Sequence, residues 1–362
     1  MIRVFASDRH RGHDPEHEIE ASGLQVPFEH PGRAEAIHAA LAADQRFDVL
    51  EPRDAGTAVI EAVHEPGLVR FLASAWQDYQ RDVKASHDVV PDVFAMPGLR
   101  DGMGGRGEPA AVAARLGYWC FETTTPLTAG SYDAARAAVD CAVAATDAVL
   151  GGEPLAYGLC RPPGHHAATA LYGGYCFFNN AAIAATHAAS AAGARVAVLD
   201  VDYHHGNGTQ QIFYDRDDVQ FVSLHGDPAR AYPYSMGFTD ETGTGRGLGY
   251  NVNYPMPLRA DDDRYVAALE DACSRIAAFG PSTLVVSLGL DTFITDPISD
   301  LAVTTDGMGR CGAVVRELGI PTVVLQEGGY DVAAIGSLVR AALDGIQEGL
   351  AGAGHGQEAG HG

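Results

Sequence analysis

Six short apolar runs, separated by segments with helical patterns, constrain the fold of this chain more than any other feature. They are IRVFAS from Ile2, AYGLC from Ala156, ARVAVLDVD from Ala194, VQFVSLH from Val219, TLVVSLGLD from Thr283 and PTVVLQEGG from Pro321. Continuous apolar strands that alternate with helices are typical of a parallel sheet covered on both faces. The sequence therefore predicts an α/β fold.

The chain has 362 residues, a length that α/β folds often reach as one domain. We expect a single domain over residues 1–350. Residues 83–116 break the pattern with the Gly- and Pro-rich run MPGLRDGMGGRGEP, which predicts a long loop. Such a loop is either a functional lid or interface, or a tolerated surface insertion. The tail at residues 351–362, AGAGHGQEAGHG, is predicted to be disordered.

The formal net charge is -23, which disfavours binding to nucleic acid phosphates and favours cationic partners such as a polyamine or a lysine-rich tail. The six cysteines show no paired spacing, which indicates reduced thiols. The first residues lack the apolar core of a signal peptide, and no stretch has the length of a membrane span. We expect a cytoplasmic protein with no membrane partner.

Polar side chains cluster where the apolar strands end, at the edge where parallel sheets bind ligands. Asp200, Asp202 and His204 alternate along an extended backbone, so they face one side. An isolated Asp-x-His pair is more often a strand end that caps the next helix. Here, however, burying three such groups without a metal or another partner would cost several kcal/mol.

Asp291 ends another apolar strand and is either a helix N-cap or a metal ligand. With Asp202 and His204 it completes a three-ligand set with an open position. That arrangement suits a catalytic Zn²⁺, and its two carboxylates would also accept Fe²⁺ or Co²⁺.

Adjacent imidazoles at His165 and His166 follow the stiff segment RPPG. Beside a metal site, such a pair indicates general acid–base work on water. Asp200 and Asn207 are placed to orient the two rings and to push their pKa values apart.

Tyr330 follows Gly328 and Gly329, which permit a tight turn after the last predicted strand. Beside a metal, its phenol can donate a hydrogen bond to a developing oxyanion. Without the other motifs, the same residues would describe an ordinary turn with a surface tyrosine.

Seven segments in order resemble the histone deacetylase superfamily, and most closely its bacterial acetylpolyamine amidohydrolase branch. They are RPPGHH, GGYCFFNNAAIAA, LDVDYHHGNGTQQIFY, SLHGDP, SLGLDTF, DPIS and EGGY. The resemblance covers residue 1 to about residue 348. It implies the arginase/deacetylase α/β fold, with an eight-stranded parallel sheet flanked by helices on both faces.

The resemblance also implies roles for individual residues in the hydrolysis of an acylated amine by water activated at zinc. The implied metal ligands are Asp202, His204 and Asp291. The implied catalytic residues are His165, His166, Asp200, Asn207 and Tyr330. His166, backed by Asn207, is the general base and acid; His165, backed by Asp200, is its electrostatic partner.

Four further positions match substrate contacts of the family. The Gly174 carbonyl matches the acceptor for the substrate amide N–H, and Tyr175 and Tyr232 match the aromatic tunnel walls. Glu18 matches an acidic residue that holds the cationic tail. A monovalent cation, K⁺ or Na⁺, is implied near Asp200, Ser223 and Leu224.

The chain departs from the polyamine branch at two acidic positions of the entrance. Ala113 and Thr124 fall there, and Glu108 or Glu122 could replace the missing charges. The branch also implies a homodimer built through the loop at residues 83–116. Asn207, where class I enzymes have aspartate, places the chain nearer the class II and polyamine enzymes.

Three other functions remain open at this point. The same chemistry could act on acetyl-lysine in proteins instead of a small acylamide. An arginase-like ureohydrolase would share the fold but needs two manganese ions and a different Asp/His cluster. A non-catalytic acyl-amine sensor would not need the complete set of catalytic groups.

Overall fold

The computed structural model describes residues 1–84, 88–100, 103 and 107–347. In this part of the chain, eight parallel strands form the central sheet. These strands are β1 (Ile2–Phe5), β4 (Phe47–Leu50), β5 (Leu155–Gly158), β6 (Val196–Asp200), β7 (Val219–Gly226), β8 (Asn251–Met256), β9 (Thr283–Leu288) and β10 (Thr322–Gln326). Their order across the sheet is β4-β1-β5-β10-β9-β6-β7-β8. Strands β2 (Glu18–Glu20) and β3 (Gly23–Gln25) form a separate antiparallel hairpin.

The predicted α/β fold with an eight-stranded parallel sheet is confirmed. The six apolar runs are strands, and the structure adds β4 and β8 at the two edges of the sheet. Both edge strands contain half-buried residues, and β8 reads NVNYPM, with polar residues and a proline. Edge strands are buried less completely than central ones, so they lack the continuous apolar run that marks the others.

Helices cover both faces of the sheet and bury two apolar clusters against it. One face carries α3 (Pro66–Asp82), α5 (Ser131–Leu150) and α6 (Asn180–Ala192). The other carries α1 (Gly32–Ala42), α8 (Asp262–Phe279), α9 (Thr305–Arg316) and α10 (Ile335–Gln347). Shorter helices are α2 (Ala58–Glu61), α4 (Val112–Trp119) and α7 (Asn207–Phe213).

Local sequence explains how these helices begin and end. The alanines of α5 favour helix formation, and their small side chains let α5 pack closely on the sheet and on α6. The Asn179 side chain caps α6 by accepting from the Ala182 N–H, at 2.8 Å. Helix α8 ends at Phe279 and is capped by Gly280, whose φ of +69° is a conformation that favours glycine.

The segment predicted as a long loop becomes helical at its end, because α4 begins at Val112. Its earlier part packs on α4: the Ala95 N–H donates to the Gly117 carbonyl at 2.8 Å. Gly117 has to be small here, since a Cβ would lie 1.8 Å from the Val93 carbonyl oxygen. The predicted disordered tail, residues 351–362, lies outside the described residues.

All six cysteines fall in the described residues, and each is a free thiol. Across the same residues, no helix is both long enough and apolar enough to cross a membrane.

Candidate functional site

Four neighbouring strands in the middle of the sheet, β5, β10, β9 and β6, end beside one another. Since all four are parallel, the loops that follow them meet at one edge. These loops carry the tandem histidines, the Asp-x-His motif, Asp291 and Tyr330. The fold therefore assembles one site from segments that lie far apart in sequence.

The predicted metal ligands lie close together at this edge of the sheet. One ligand atom from each of Asp202, His204 and Asp291 lies within 4.8 Å of the others. His204 Nδ1 is 3.0 Å from Asp291 Oδ2 and 3.3 Å from Asp202 Oδ1. All three residues are buried, and burial together with the Asp202 charge raises the pKa of Asp291 to about 7. Two carboxylates so crowded and buried suit a divalent cation between them.

Backbone N–H groups orient the two carboxylates. Asp202 Oδ2 accepts from the Gly328 N–H at 2.8 Å, and Asp291 Oδ1 accepts from the Tyr203 N–H at 2.8 Å. Such close approach requires glycine at two positions. A Cβ on Gly328 would lie 2.4 Å from Asp291 Oδ2, and a Cβ on Gly289 would lie 2.2 Å from Asp202 Oδ2. This donor set, oriented by backbone hydrogen bonds, fits a divalent metal.

The tandem histidines each have the partner that the sequence predicts. His165 Nδ1 lies 3.0 Å from Asp200 Oδ2, and His166 Nδ1 lies 2.6 Å from Asn207 Oδ1. Burial alone would lower the pKa of His165, but the Asp202 and Asp200 carboxylates raise it to about 10. Burial and the charge of His165 lower the pKa of His166 well below its ordinary value. The two rings, with centroids 4.0 Å apart, are thereby biased to opposite protonation states.

Glu327 has a role in the site that the sequence does not predict. Its buried carboxylate accepts from the Gly164 N–H at 2.6 Å and the His165 N–H at 3.2 Å. It also accepts from the Ser287 hydroxyl at 3.2 Å. Glu327 thus holds the backbone that carries the histidines. Its position directly after a buried strand was the available signal.

Tyr330 is held in the site from both sides. Its backbone N–H donates to Asp296 Oδ2 at 2.7 Å, and the Arg33 guanidinium lies 4.5 Å from the centre of its ring. Arg33 is buried and donates to the Gly329 carbonyl at 2.6 Å and to Glu29 at 2.8 Å. The sequence predicts no role for Arg33, and it contains Asp296 in the DPIS segment without indicating a role for that residue.

A cavity of about 420 Å³ opens above the site. Its lining includes His166, His204 and Tyr330 at the polar end. Around its walls and rim lie Ile19, Glu20, Ala21, Glu122, Thr123, Thr124, Gly174, Tyr175, Tyr232, Tyr234 and Ile298. The Tyr232 ring meets the His166 ring edge-on, with centroids 5.0 Å apart. Three of the four predicted substrate contacts, Gly174, Tyr175 and Tyr232, therefore line this cavity.

The acidic residues near the cavity differ from the sequence expectation in their placement. Glu18 is fully buried against Tyr175, whereas Glu20 on the same strand lines the cavity. Glu122 also lines it, but Glu108 accepts a hydrogen bond from Trp119 Nε1 at 2.8 Å, next to a different groove. Of the two glutamates considered as replacements, Glu122 is thus the one at the cavity.

The region predicted to hold a monovalent cation lies on strands β6 and β7. Asp200 pairs in register with Ser223, which Leu224 follows, and all three residues are fully buried. The cation itself stays a prediction.

Residues 27–346 match the family model of the histone deacetylase domain. The chain belongs to the histone deacetylase family. The match covers every strand of the central sheet except β1, together with the predicted metal ligands and the tandem histidines, and it confirms the family predicted from the sequence motifs.

Relatives within the family match the chain over nearly its whole length. Acetylpolyamine amidohydrolase 2 of Pseudomonas aeruginosa is 44% identical over 336 residues, covering 93% of this chain and 96% of the relative. Acetylpolyamine amidohydrolase of Mycoplana ramosa is 39% identical over 95% of this chain and 99% of its own. The crystal structure of an acetylpolyamine aminohydrolase from Burkholderia pseudomallei superimposes with a TM-score of 0.87 at 40% identity, covering 96% and 98% of the two chains. The names of these relatives agree with the amide hydrolysis predicted for this chain.

Proposed function

We propose that this protein removes the acetyl group from a small cationic acylated amine of the acetylpolyamine type. The observation that carries the proposal is the cavity whose lining includes His166, His204 and Tyr330 together with the carboxylate of Glu20. The acid–base groups would contact the acyl group of the substrate, and the carboxylate would contact its ammonium group. The relatives named as acetylpolyamine amidohydrolases support this substrate class.

The metal site is proposed to hold Zn²⁺ on Asp202, His204 and Asp291. A divalent ion there would polarise the acyl carbonyl and lower the pKa of water. The same ligands would also accept Fe²⁺ or Co²⁺.

Side chains of the protein supply the proton transfers. Asn207 Oδ1 accepts the Nδ1–H of His166, which leaves Nε2 without a proton and able to take one from water. His166 then returns this proton to the departing amine. Burial, together with the charge of His165 beside Asp200, lowers the pKa of His166 and keeps His166 neutral at the start. Tyr330 donates its hydroxyl proton in a hydrogen bond to the oxyanion.

Substrate position is proposed to depend on the cavity walls. The Gly174 carbonyl accepts the amide N–H, and Tyr175 and Tyr232 enclose the apolar part of the amine chain. The negative charge of Glu20 favours a cationic tail, in keeping with the net charge of -23.

Assembly is proposed to involve a homodimer built through the segment at residues 83–116. Apolar side chains of this segment, Val93, Met96, Leu99 and Met103, are exposed, and an apolar groove of about 880 Å³ lies beside them. Sedimentation of the protein, compared with that of Leu99→Glu, tests this assembly, and a monomeric wild type would contradict it. Activity in K⁺, Na⁺ and choline buffers tests the proposed monovalent cation at Asp200.

A substrate panel tests the function directly. Purified protein is assayed with N-acetylputrescine, N-acetylspermidine and an acetyl-lysine peptide, and the metal is measured before and after chelation. We expect turnover of the small acetylated amines. Removal of the metal by the chelator should abolish this activity, and addition of Zn²⁺ should restore it. Turnover of the peptide alone would instead assign a protein deacetylase. Two ions per chain with release of urea from a guanidino substrate would assign a ureohydrolase.

A further inference from the structure

A four-residue turn in the cavity wall places two groups that face the substrate. The Gly173 N–H donates to the Cys176 carbonyl at 2.9 Å, and the Cys176 N–H donates to the Gly173 carbonyl at 3.1 Å. The two central residues, Gly174 and Tyr175, have φ values of +60° and +66°. Positive φ at both central residues describes a type I′ turn. Glycine adopts this conformation freely, but at Tyr175 it stores roughly 1–3 kcal/mol of strain.

Both groups depend on this strained turn. Gly174 contributes the carbonyl proposed to accept the substrate amide N–H, and Tyr175 contributes an aromatic wall. The turn also packs directly on the proposed base, because a Cβ on Gly174 would lie 2.4 Å from His166 Cδ2. A small rotation of the Gly174–Tyr175 peptide would therefore move the carbonyl and the ring relative to His166.

Two side chains from the segment after α4 bind the central N–H groups of the turn. The Gly174 N–H donates to Glu122 Oε1 at 2.9 Å, and the Tyr175 N–H donates to Thr125 Oγ1 at 2.7 Å. The Thr125 hydroxyl donates in turn to Glu122 Oε1. The other carboxylate oxygen of Glu122 accepts from the backbone N–H and the hydroxyl of Thr124. One carboxylate thus links the turn to the segment opposite.

We propose that Glu122 and Thr125 are positioning residues that hold the Gly173–Cys176 turn in its catalytic geometry, an inference that rests on the function proposed above. The alternative role for Glu122 is to bind the substrate ammonium directly. A carboxylate has about four lone-pair sites, and Glu122 accepts four hydrogen bonds within the protein. Its oxygens are therefore engaged with the protein, and Glu20 is the cavity carboxylate left for the cation.

Two substrates of equal length separate positioning from ammonium binding. N-acetylputrescine is cationic, and N-pentylacetamide is its neutral counterpart. Glu122→Ala should lower kcat about 10- to 100-fold on both, because misplacing the reacting groups by about 1 Å has effects of that size. Glu20→Ala should instead raise KM for the cationic substrate only. Glu270→Ala, an exposed glutamate on α8, is the control for loss of one charge.

A second pair of variants keeps the test informative if Glu122→Ala does not fold, which thermal melting and metal content would reveal. Thr125→Val removes the acceptor of the Tyr175 N–H while keeping the shape of the side chain, and it should lower kcat on both substrates. Thr125→Ser keeps the acceptor and should restore kcat.

Wild-type kcat in Thr125→Val would overturn the proposal, and so would a Glu122→Ala variant whose only change is a higher KM for the cationic substrate. A wild type that turns over neither substrate would refute the proposed function itself.

Discussion

The phenol of Tyr330 offers the sharpest test of the proposed chemistry. Tyr330→Phe keeps the ring under the Arg33 guanidinium, 4.5 Å away, and beside the Tyr175 ring, whose centroid is 5.8 Å away. The backbone bond to Asp296 is also kept. The variant therefore loses one hydrogen-bond donor at the cavity and little packing. Losing one donor to an oxyanion costs about 10²- to 10³-fold in kcat, or roughly 3–4 kcal/mol in the transition state.

The assay compares kcat and KM of wild type and Tyr330→Phe on N-acetylputrescine, with metal content measured on the same samples. We expect a fall in kcat, a small change in KM and unchanged metal. Tyr254→Phe is the matched control, since it loses a hydroxyl that donates to Asp271 at the surface, away from the cavity. If Tyr330→Phe keeps more than half of the wild-type kcat with its metal bound, the oxyanion role is refuted.

Three other substitutions test the metal site, the buried ion pairs and the pH dependence of stability. Gly328→Ala should lose most of its metal on analysis, because its Cβ would lie 2.4 Å from a ligand carboxylate, whereas Gly309→Ala, with 3.7 Å to its nearest neighbour, should keep it. Arg33→Met should lower the free energy of unfolding by roughly 1–3 kcal/mol in denaturant titrations, because Glu29 loses one of its two buried arginine partners and keeps Arg161; a loss below about 0.5 kcal/mol would contradict the assigned ion pair. Burial raises the pKa of Glu18 from 4.5 to about 7, so ionising it costs stability as pH rises across that range. As the pH rises from about 5 to about 8, Glu18→Gln should therefore become more stable relative to the wild type, as measured by the free energy of unfolding. If the free energies of the two proteins follow parallel pH profiles instead, Glu18 does not titrate in this way.

The interior of the fold was predictable because burial on both faces leaves an unbroken apolar run in the sequence. Strands β6 and β9, for example, read VAVLD and TLVVSL and are fully buried. The edge strands β4 and β8 carry no such run. The predicted loop includes helix α4 because the Gly- and Pro-rich residues before this helix dominate the composition of the segment.

The site was predictable where its chemistry is local, as in the alternation of Asp200, Asp202 and His204 after one strand. The contacts of the site were not predictable where the two residues in contact lie far apart in the sequence. Arg33 lies on the first helix and contacts the Gly329 carbonyl near the other end of the chain. A single arginine in the first turn of a helix carries no sign of such a contact, and the function of a glycine such as Gly289 becomes visible only when the position of the opposing carboxylate is known.

The predicted metal ligands come from the loops after β6 and β9, and the backbone N–H groups that hold their carboxylates come from the loops after β6 and β10. No contiguous piece of the chain contains this arrangement, so the unfolded chain offers the ion no equivalent site. Any ion that binds only the folded state adds to the free energy of unfolding, by about 2.7 kcal/mol when its concentration is 100 times its dissociation constant. Melting curves recorded at a series of metal concentrations would therefore also report the dissociation constant of the ion, because the stability of the fold and the binding of the ion are thermodynamically linked.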